Sequence, residues 1–285
     1  MKISIIMVTY NAENVIEDSL LSLIKQDYKD KEIILIDGAS TDRTMEIAGR
    51  YKDYINYMVS EPDRGIYHAT NKGIEAATGN YIGFLNAGDW YINSHVLSDI
   101  TSKISAGIDI YVGNLFLQVN GKWKRWISNP FLDSLYLYCS VATPASFIKK
   151  SILKNWGTYN EEYRCSGDYE LFLRLYTNHA NFEVGGQYTT LMFDGGVSSD
   201  PRKVAYKEDR KIALQYGVSP VVAGIRYWKN MIRYTVVRLL RRLKIDNTIK
   251  KILGQQPMLT VQEMKAIGID IENPWFLDDN QRVRK

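Results

Sequence analysis

Three aspartates stand where a carboxylate can do chemistry. Asp89 closes the run Tyr81-Ile-Gly-Phe-Leu-Asn-Ala-Gly-Asp89, and Asp37 closes Glu32-Ile-Ile-Leu-Ile-Asp37. Each run is apolar and reads as a strand that ends in an acid. In open α/β sheets, ligands bind in the crevice beyond the carboxyl ends of the strands. Two acids delivered there point to a site for a nucleotide and a divalent cation. Magnesium and manganese take hard oxygen ligands, usually one or two carboxylates together with phosphate oxygens and water. The third aspartate, Asp168, lies in Ser166-Gly-Asp-Tyr-Glu170 at the start of a helix. It is either an N-cap or a general base beside a reacting hydroxyl, and spacing alone leaves both open. Glu170 is expected to point elsewhere, because residues i and i+2 do not share a helix face.

Four further stretches frame these acids. Val8-Thr9-Tyr10-Asn11 leaves a strand and enters a helix, where free backbone N–H groups suit a phosphate or a base carbonyl. The plainer reading is an ordinary helix start capped by Asn11. In Asp37-Gly-Ala-Ser-Thr-Asp42, Asp37 is placed to accept from a base N–H or a ribose hydroxyl, while Asp42 favours the following helix. Ser40 or Thr41 is the expected cap there. Glu61-Pro-Asp63-Arg64-Gly65 precedes a helix carrying Asn71 and Lys72. Arg64 and Lys72 suit the charge of a pyrophosphate and Asp63 suits a base edge, with surface ion pairs as the alternative. Asn86 stands at the turn that leads to Asp89. No G-x-G-x-x-G or Walker loop is present, so dinucleotide and P-loop readings lose their main support.

These residues need a scaffold, and the first 115 residues supply it by alternating strand and helix. Apolar strands are expected at 3–8, 32–36, 54–60, 81–85 and 108–112, with short helices between them. That pattern implies an α/β fold with a mostly parallel sheet flanked by helices. From 115 to about 197 the pattern becomes mixed. Asn120-Gly121 between apolar alternations signals a hairpin, and a helix begins near Asp168. Trp123, Trp126 and Trp156 are expected in the core. After 200 the chain reads as helices: Trp228, Ile232, Val236, Leu239, Leu240 and Leu243 share one face, with Lys229, Arg233, Arg241 and Lys244 largely on another. Thr260-Val-Gln-Glu263 is a capping box, and the last dozen residues are polar and expected to be loosely held.

Composition removes other classes. The net charge of +4 over 285 residues is mild, and the excess of Lys and Arg gathers between Arg226 and Lys251. A general nucleic-acid surface is therefore not expected. Cys139 and Cys165 match no metal or redox spacing and read as reduced thiols. His68, His95 and His179 show no metal-ligand spacing. The N-terminal apolar run is too short for a signal peptide, and no stretch approaches the ~18 apolar residues of a membrane span. A soluble, intracellular body is expected.

Taken in order, Val8-Thr-Tyr-Asn11, Asp37-Gly-Ala-Ser-Thr-Asp42, Glu61-Pro-Asp-Arg-Gly65 with Asn71-Lys-Gly73, Phe84-Leu-Asn-Ala-Gly-Asp89 and Gly167-Asp-Tyr-Glu-Leu-Phe-Leu-Arg174 resemble the inverting family 2 glycosyltransferases of the GT-A fold. The likeness is especially to bacterial members that build surface polysaccharides. The resemblance implies a catalytic domain over 1–200, with a nucleotide-sugar-binding half (1–115) and an acceptor-binding half (115–200). Residues 201–285 are expected to be a helical extension. It implies that Thr9, Tyr10 and Asn11 flank the base of a UDP-sugar and that Asp37 reads its edge. Asp63, Arg64, Asn71, Lys72 and Asn86 complete the donor site. Asp89 matches the last acid of the family's metal-binding motif, so Mn²⁺ or Mg²⁺ is implied as cofactor. Asn86 and Gly88 stand where the family often has acids, which leaves Asp89 alone. Asp168 matches the base that deprotonates the acceptor hydroxyl.

The implied acceptor is a saccharide on a polyprenyl diphosphate, as in O-antigen, capsule or exopolysaccharide synthesis. The basic segment 226–251 would then hold the protein peripherally on the anionic inner face of a bacterial plasma membrane. A solvated basic helix packed on the catalytic domain is the alternative. For the activity, the alternatives are a nucleotidyltransferase on a similar sheet and a non-catalytic nucleotide- or glycan-binding relative.

Overall fold

The computed structural model describes residues 1–193, 202–242, 258–272 and 274–277. Among them, nine strands form one sheet: β1 (Ile3–Thr9), β2 (Lys31–Asp37), β3 (Tyr57–Ser60), β4 (Tyr81–Phe84), β5 (Asp89–Tyr91), β6 (Ile110–Val119), β7 (Lys122–Trp126), β8 (Ser146–Lys149) and β9 (Phe182–Met192). The helices are α1 (Ile16–Ile24), α2 (Thr44–Gly49), α3 (Ile66–Ala76), α4 (Val96–Lys103), α5 (Lys150–Trp156), α6 (Gly167–Thr177), α7 (Arg202–Gln215), α8 (Pro220–Arg242) and α9 (Val261–Ala266).

Every residue of β1 is buried, as an unbroken apolar run requires when both sheet faces are covered. The period of two divides its side chains between the layers. Ile3, Ile5 and Met7 pack with Ile16, Leu20 and Leu23 of α1. Ile6 and Val8 pack with Tyr67, Ala69 and Ile74 of α3. The strand is thus fixed on both sides, and its carboxyl end is held in one place.

The sheet runs β3-β2-β1-β4-β8-β6-β9-β5, with β7 paired to β6. The first four strands are parallel, as expected. Beyond β4 the sheet becomes mixed. β8 lies antiparallel between β4 and β6, and β6 pairs parallel with β9. The fifth expected strand is longer than the pattern suggested, running on to Val119 and into the predicted hairpin with β7.

Three local expectations change. Asp89 does not end β4, which stops at Phe84; it opens β5, antiparallel to β9 opposite Met192. Asn11 is not a helix cap. It sits at a positive φ of 46° and α1 begins only at Ile16. Neither Ser40 nor Thr41 caps α2, because Ser40 is drawn to Asp37.

The C-terminal residues are better anchored than their polarity suggested. Phe276 and Leu277 pack with Trp90, Phe116 and the fully buried Trp123, and the Trp275 indole N–H donates to the Tyr91 carbonyl at 3.0 Å. The expected capping box forms at the start of α9. The remainder of the tail and the basic residues beyond 242 lie outside the described residues. Among those described, no helix is long and apolar enough to cross a membrane.

Candidate active site

The turns after β1 and β2 are sewn together where the parallel strands end. The Asn11 backbone N–H donates to Ser40 Oγ at 2.7 Å, and Asn11 Oδ1 accepts from the Thr41 N–H at 2.8 Å. The Ala12 N–H donates to Thr44 Oγ1 and the Glu13 N–H to Asp42 Oδ2. Asp42 Oδ1 also accepts from the Thr44 N–H at 3.0 Å at the start of α2, so Asp42 serves the following helix, as expected, and the β1 turn as well. The network explains the strained φ of Asn11, since a left-handed backbone aims both its N–H and its side chain at the neighbouring turn.

Asp37 lies at the centre of this network with no solvent exposure. Its Oδ2 accepts from the Ser40 N–H at 2.8 Å and from Ser60 Oγ at 2.6 Å, and its Oδ1 accepts from Ser40 Oγ. Asp37 thereby ties the ends of β2 and β3 together. A base reaching this carboxylate would have to take the place of a serine hydroxyl.

Two other expected residues are open to a ligand here: Tyr10 is exposed and Asp63 is half-buried, whereas Thr9 Oγ1 is buried with no protein partner. Gly38 brings the first two together. A Cβ added at Gly38 would lie 2.5 Å from Asp63 Oδ2 and 3.4 Å from Tyr10 Cδ2. Gly38→Ala is expected to leave the melting temperature near wild type, because the clash falls on the end of one mobile side chain. It should displace Asp63 and weaken nucleotide binding by roughly 10–100-fold, the worth of one hydrogen bond to a charged group. Titration calorimetry with UDP checks this; unchanged affinity would remove Asp63 from the site.

The other donor-site candidates divide. Asn86 lies half-buried in the turn after β4, where its carbonyl accepts from the Asp89 N–H at 3.0 Å. Arg64 is exposed and pairs with Glu161 at 2.6 Å. Asn71 and Lys72 both have protein partners. Asn71 braces the Tyr159 backbone from both sides, donating to its carbonyl and accepting from its N–H, each at 2.9 Å. Lys72 pairs with Glu61 at 2.8 Å along the outer edge of β3.

Asp89 is 6% exposed, and burial pushes its carboxyl up to about 8. The Phe193 N–H supports the charged form, but no Lys or Arg pairs with it among the described residues. A desolvated carboxylate without a counter-charge fits a cation that arrives with its own anionic ligand. No group of three or more His, Cys, Asp or Glu ligands occurs among the described residues. A cation held here would therefore take Asp89 from the protein and its other oxygens from a nucleotide and water.

Asp168 occupies the first turn of α6 and does not cap it; Ser166 holds the N-cap position. The residue is partly accessible, yet desolvation pushes its carboxyl up to about 6, against hydrogen bonds from the Tyr159 and Thr143 hydroxyls that favour the charge. The Tyr159 ring stacks on Tyr67 at 5.1 Å and packs edge-on to Phe84 at 5.8 Å, which brings Asp168 beside the end of β4. Glu170 points away, as expected, into Arg174 and Tyr216. Arg174 in turn donates to the carbonyls of Trp156, Gly157 and Thr158, fixing the turn that carries Tyr159.

Two supports of Asp168 were not expected from sequence. Tyr67 accepts from the Gly167 N–H at 2.9 Å, and a Cβ at Gly167 would strike its ring at 2.6 Å. Glu208 of α7 accepts from the N–H groups of Arg164, Cys165 and Ser166 at 2.8–2.9 Å, while Asp209 takes the Ser166 hydroxyl at 2.7 Å. The first helix of the extension thus holds the loop that leads into Asp168. The contacts join residues some forty or a hundred positions apart, so no local spacing announces them.

Residues 4–174 match the family model described as Glycosyl transferase family 2. A PGL/p-HBAD biosynthesis glycosyltransferase of Mycobacterium tuberculosis is 26% identical over 241 residues, covering 82% of this chain and 93% of that protein. The Staphylococcus aureus protein TarS, solved as residues 1–349 with UDP-GlcNAc, superposes with a TM-score of 0.61 at 22% identity, over 75% of this chain and 66% of that one. The Pyrobaculum calidifontis mannosyltransferase PcManGT, solved with GDP-Man and Mn²⁺, superposes with a TM-score of 0.59 at 16% identity, over 99% and 82%. The structural likeness establishes the GT-A arrangement of a mixed sheet flanked by helices. With more than half of its length inside the matched region, the chain belongs to glycosyl transferase family 2 and is a glycosyltransferase.

Proposed function

We propose that this protein moves a sugar from a UDP-sugar to a hydroxyl of a saccharide acceptor, with inversion at the anomeric carbon. The observation that carries the proposal is Asp168, a partly accessible carboxyl desolvated to about 6 and aimed by two hydroxyls. Such a group is ionised near neutral pH yet basic enough to take a proton in a transition state. The acceptor oxygen attacks the anomeric carbon, its proton passes to Asp168, and the bond to the diphosphate oxygen breaks with its electron pair. One displacement inverts the centre, so an α-linked donor gives a β-glycoside.

The donor's base would lie against Tyr10 and Asp63, where the Asp37–Ser40–Asn11 network holds the two turns. Asp89 would hold Mn²⁺ or Mg²⁺, which supplies positive charge to the departing diphosphate. TarS supports the choice of a uridine donor through its complex with UDP-GlcNAc. The acceptor we favour is a saccharide on a polyprenyl diphosphate in surface-polysaccharide synthesis at the inner membrane face. UDP release from a panel of UDP-sugars tests the donor half of this reading, and a lipid-extracted acceptor tests the other.

The base predicts a pH profile. Asp168 acts only when ionised, so with saturating Mn²⁺, which would keep Asp89 ionised, kcat/KM is expected to be level above neutrality and to fall about tenfold per unit once pH drops below about 6. Tyr159→Phe removes a donor that favours the charge and should move this acidic limb to higher pH. A limb that stays in place would detach Tyr159 from the base.

A further inference from the structure

Helix α8 has two faces of opposite character. Ala223 is buried and Tyr227, Met231 and Tyr234 are half-buried; Lys203 of α7 lies over the Tyr234 ring at 5.8 Å. The other face carries Val221, Ile225, Trp228, Ile232 and Leu239, all exposed, with Trp228 63% and Ile232 61% accessible. At 100° per residue these positions fall in one narrow stripe turned away from α7. An ordered helix that presents a continuous apolar stripe to water marks an interaction surface.

The charges beside the stripe select the partner. Lys229 and Arg233 are exposed along one flank, and the whole helix from Pro220 to Arg242 contains no Asp or Glu. Two copies meeting through this face would oppose like charges with nothing to neutralise them. A surface of anionic headgroups over acyl chains complements both features, since Lys and Arg gain at the headgroups while Trp and the aliphatic side chains enter the interface.

The stripe is also joined to the catalytic body near the base. The Arg226 guanidinium lies over the Tyr138 ring at 5.6 Å. Tyr138 belongs to an exposed apolar segment with Leu137 and the 80% exposed Phe131. That segment leads into Thr143, whose hydroxyl donates to Asp168.

We propose that α8 lies in the plane of an anionic bilayer through the Val221–Ile225–Trp228–Ile232 stripe, with Phe131, Leu137 and Tyr138 at its margin. Docked this way, the protein holds the approach to Asp168 against the membrane surface. The benefit to catalysis rests on the lipid-linked acceptor proposed above; the docking itself does not.

The test uses the full chain with vesicles of phosphatidylglycerol and phosphatidylcholine, against phosphatidylcholine alone, at low and high salt. Co-sedimentation with the anionic vesicles at low salt is expected. The double variant Trp228→Glu, Ile232→Glu should lose roughly a hundredfold in partition, about tenfold for each side chain. Its melting temperature and its turnover on a water-soluble acceptor should match wild type. Lys229→Gln, Arg233→Gln should bind more weakly and with a shallower salt dependence. Absence of binding to anionic vesicles, or equal binding by the double variant, overturns the proposal. So does a dimer in solution that the double variant dissociates, because the stripe is then a self-interface. Vesicle binding without turnover on any donor would count against the transferase reading and leave the docking intact.

Discussion

Asp168→Asn is expected to lower kcat by about 10²–10⁴-fold, the usual worth of a positioned general base. Asparagine keeps the shape of the side chain and an oxygen that can accept from Tyr159 and Thr143. It cannot take the acceptor's proton. The substitution also removes a charge that the fold desolvates, so the melting temperature should hold or rise. Donor affinity should be unchanged, since the proposed reading puts the acceptor hydroxyl at Asp168 and the donor's base against the β1 and β2 turns. A variant that turns over at the wild-type rate would leave the protein without its base. One that unfolds would give the aspartate a structural role instead.

Asp89→Ala is expected to cost on the order of 10³-fold in metal-stimulated turnover, from several kcal/mol of charge stabilisation at the leaving group. Binding separates this effect from simple damage. Without metal, wild type and variant should bind UDP alike. With Mn²⁺, only the wild type should bind more tightly, because Asp89 is the side chain proposed to hold the cation. The buried carboxylate has no cationic partner among the described residues, so its loss should not lower stability. Equal gains in UDP affinity from Mn²⁺ in both proteins would place the metal elsewhere.

The parallel half of the fold was legible because its signals are local. Continuous apolar runs gave β1 and β2, helical spacing gave α1 and α6, and Asn120-Gly121 gave the β6–β7 hairpin. The mixed half was not, because whether β8 runs with or against β4 depends on the path of the connection from 127 to 145. The site divides along the same line. Asp168 was visible from its motif, but Tyr159, Thr143 and Tyr67 are its neighbours only through space. Asn71 likewise braces the Tyr159 backbone, a partner 88 positions away that no spacing reveals. Asn11 read as a cap because the sequence shows a strand-to-helix turn. It does not show that a second turn lies within hydrogen-bond reach.

The most direct test is nucleoside diphosphate release from UDP-sugars, with and without Mn²⁺, by wild type, Asp168→Asn and Asp89→Ala. The account predicts metal-stimulated UDP release from one donor by the wild type. Asp168→Asn should bind UDP normally and release almost none, and Asp89→Ala should lose the response to Mn²⁺. Pyrophosphate as the product, or release that survives Asp168→Asn undiminished, would contradict it.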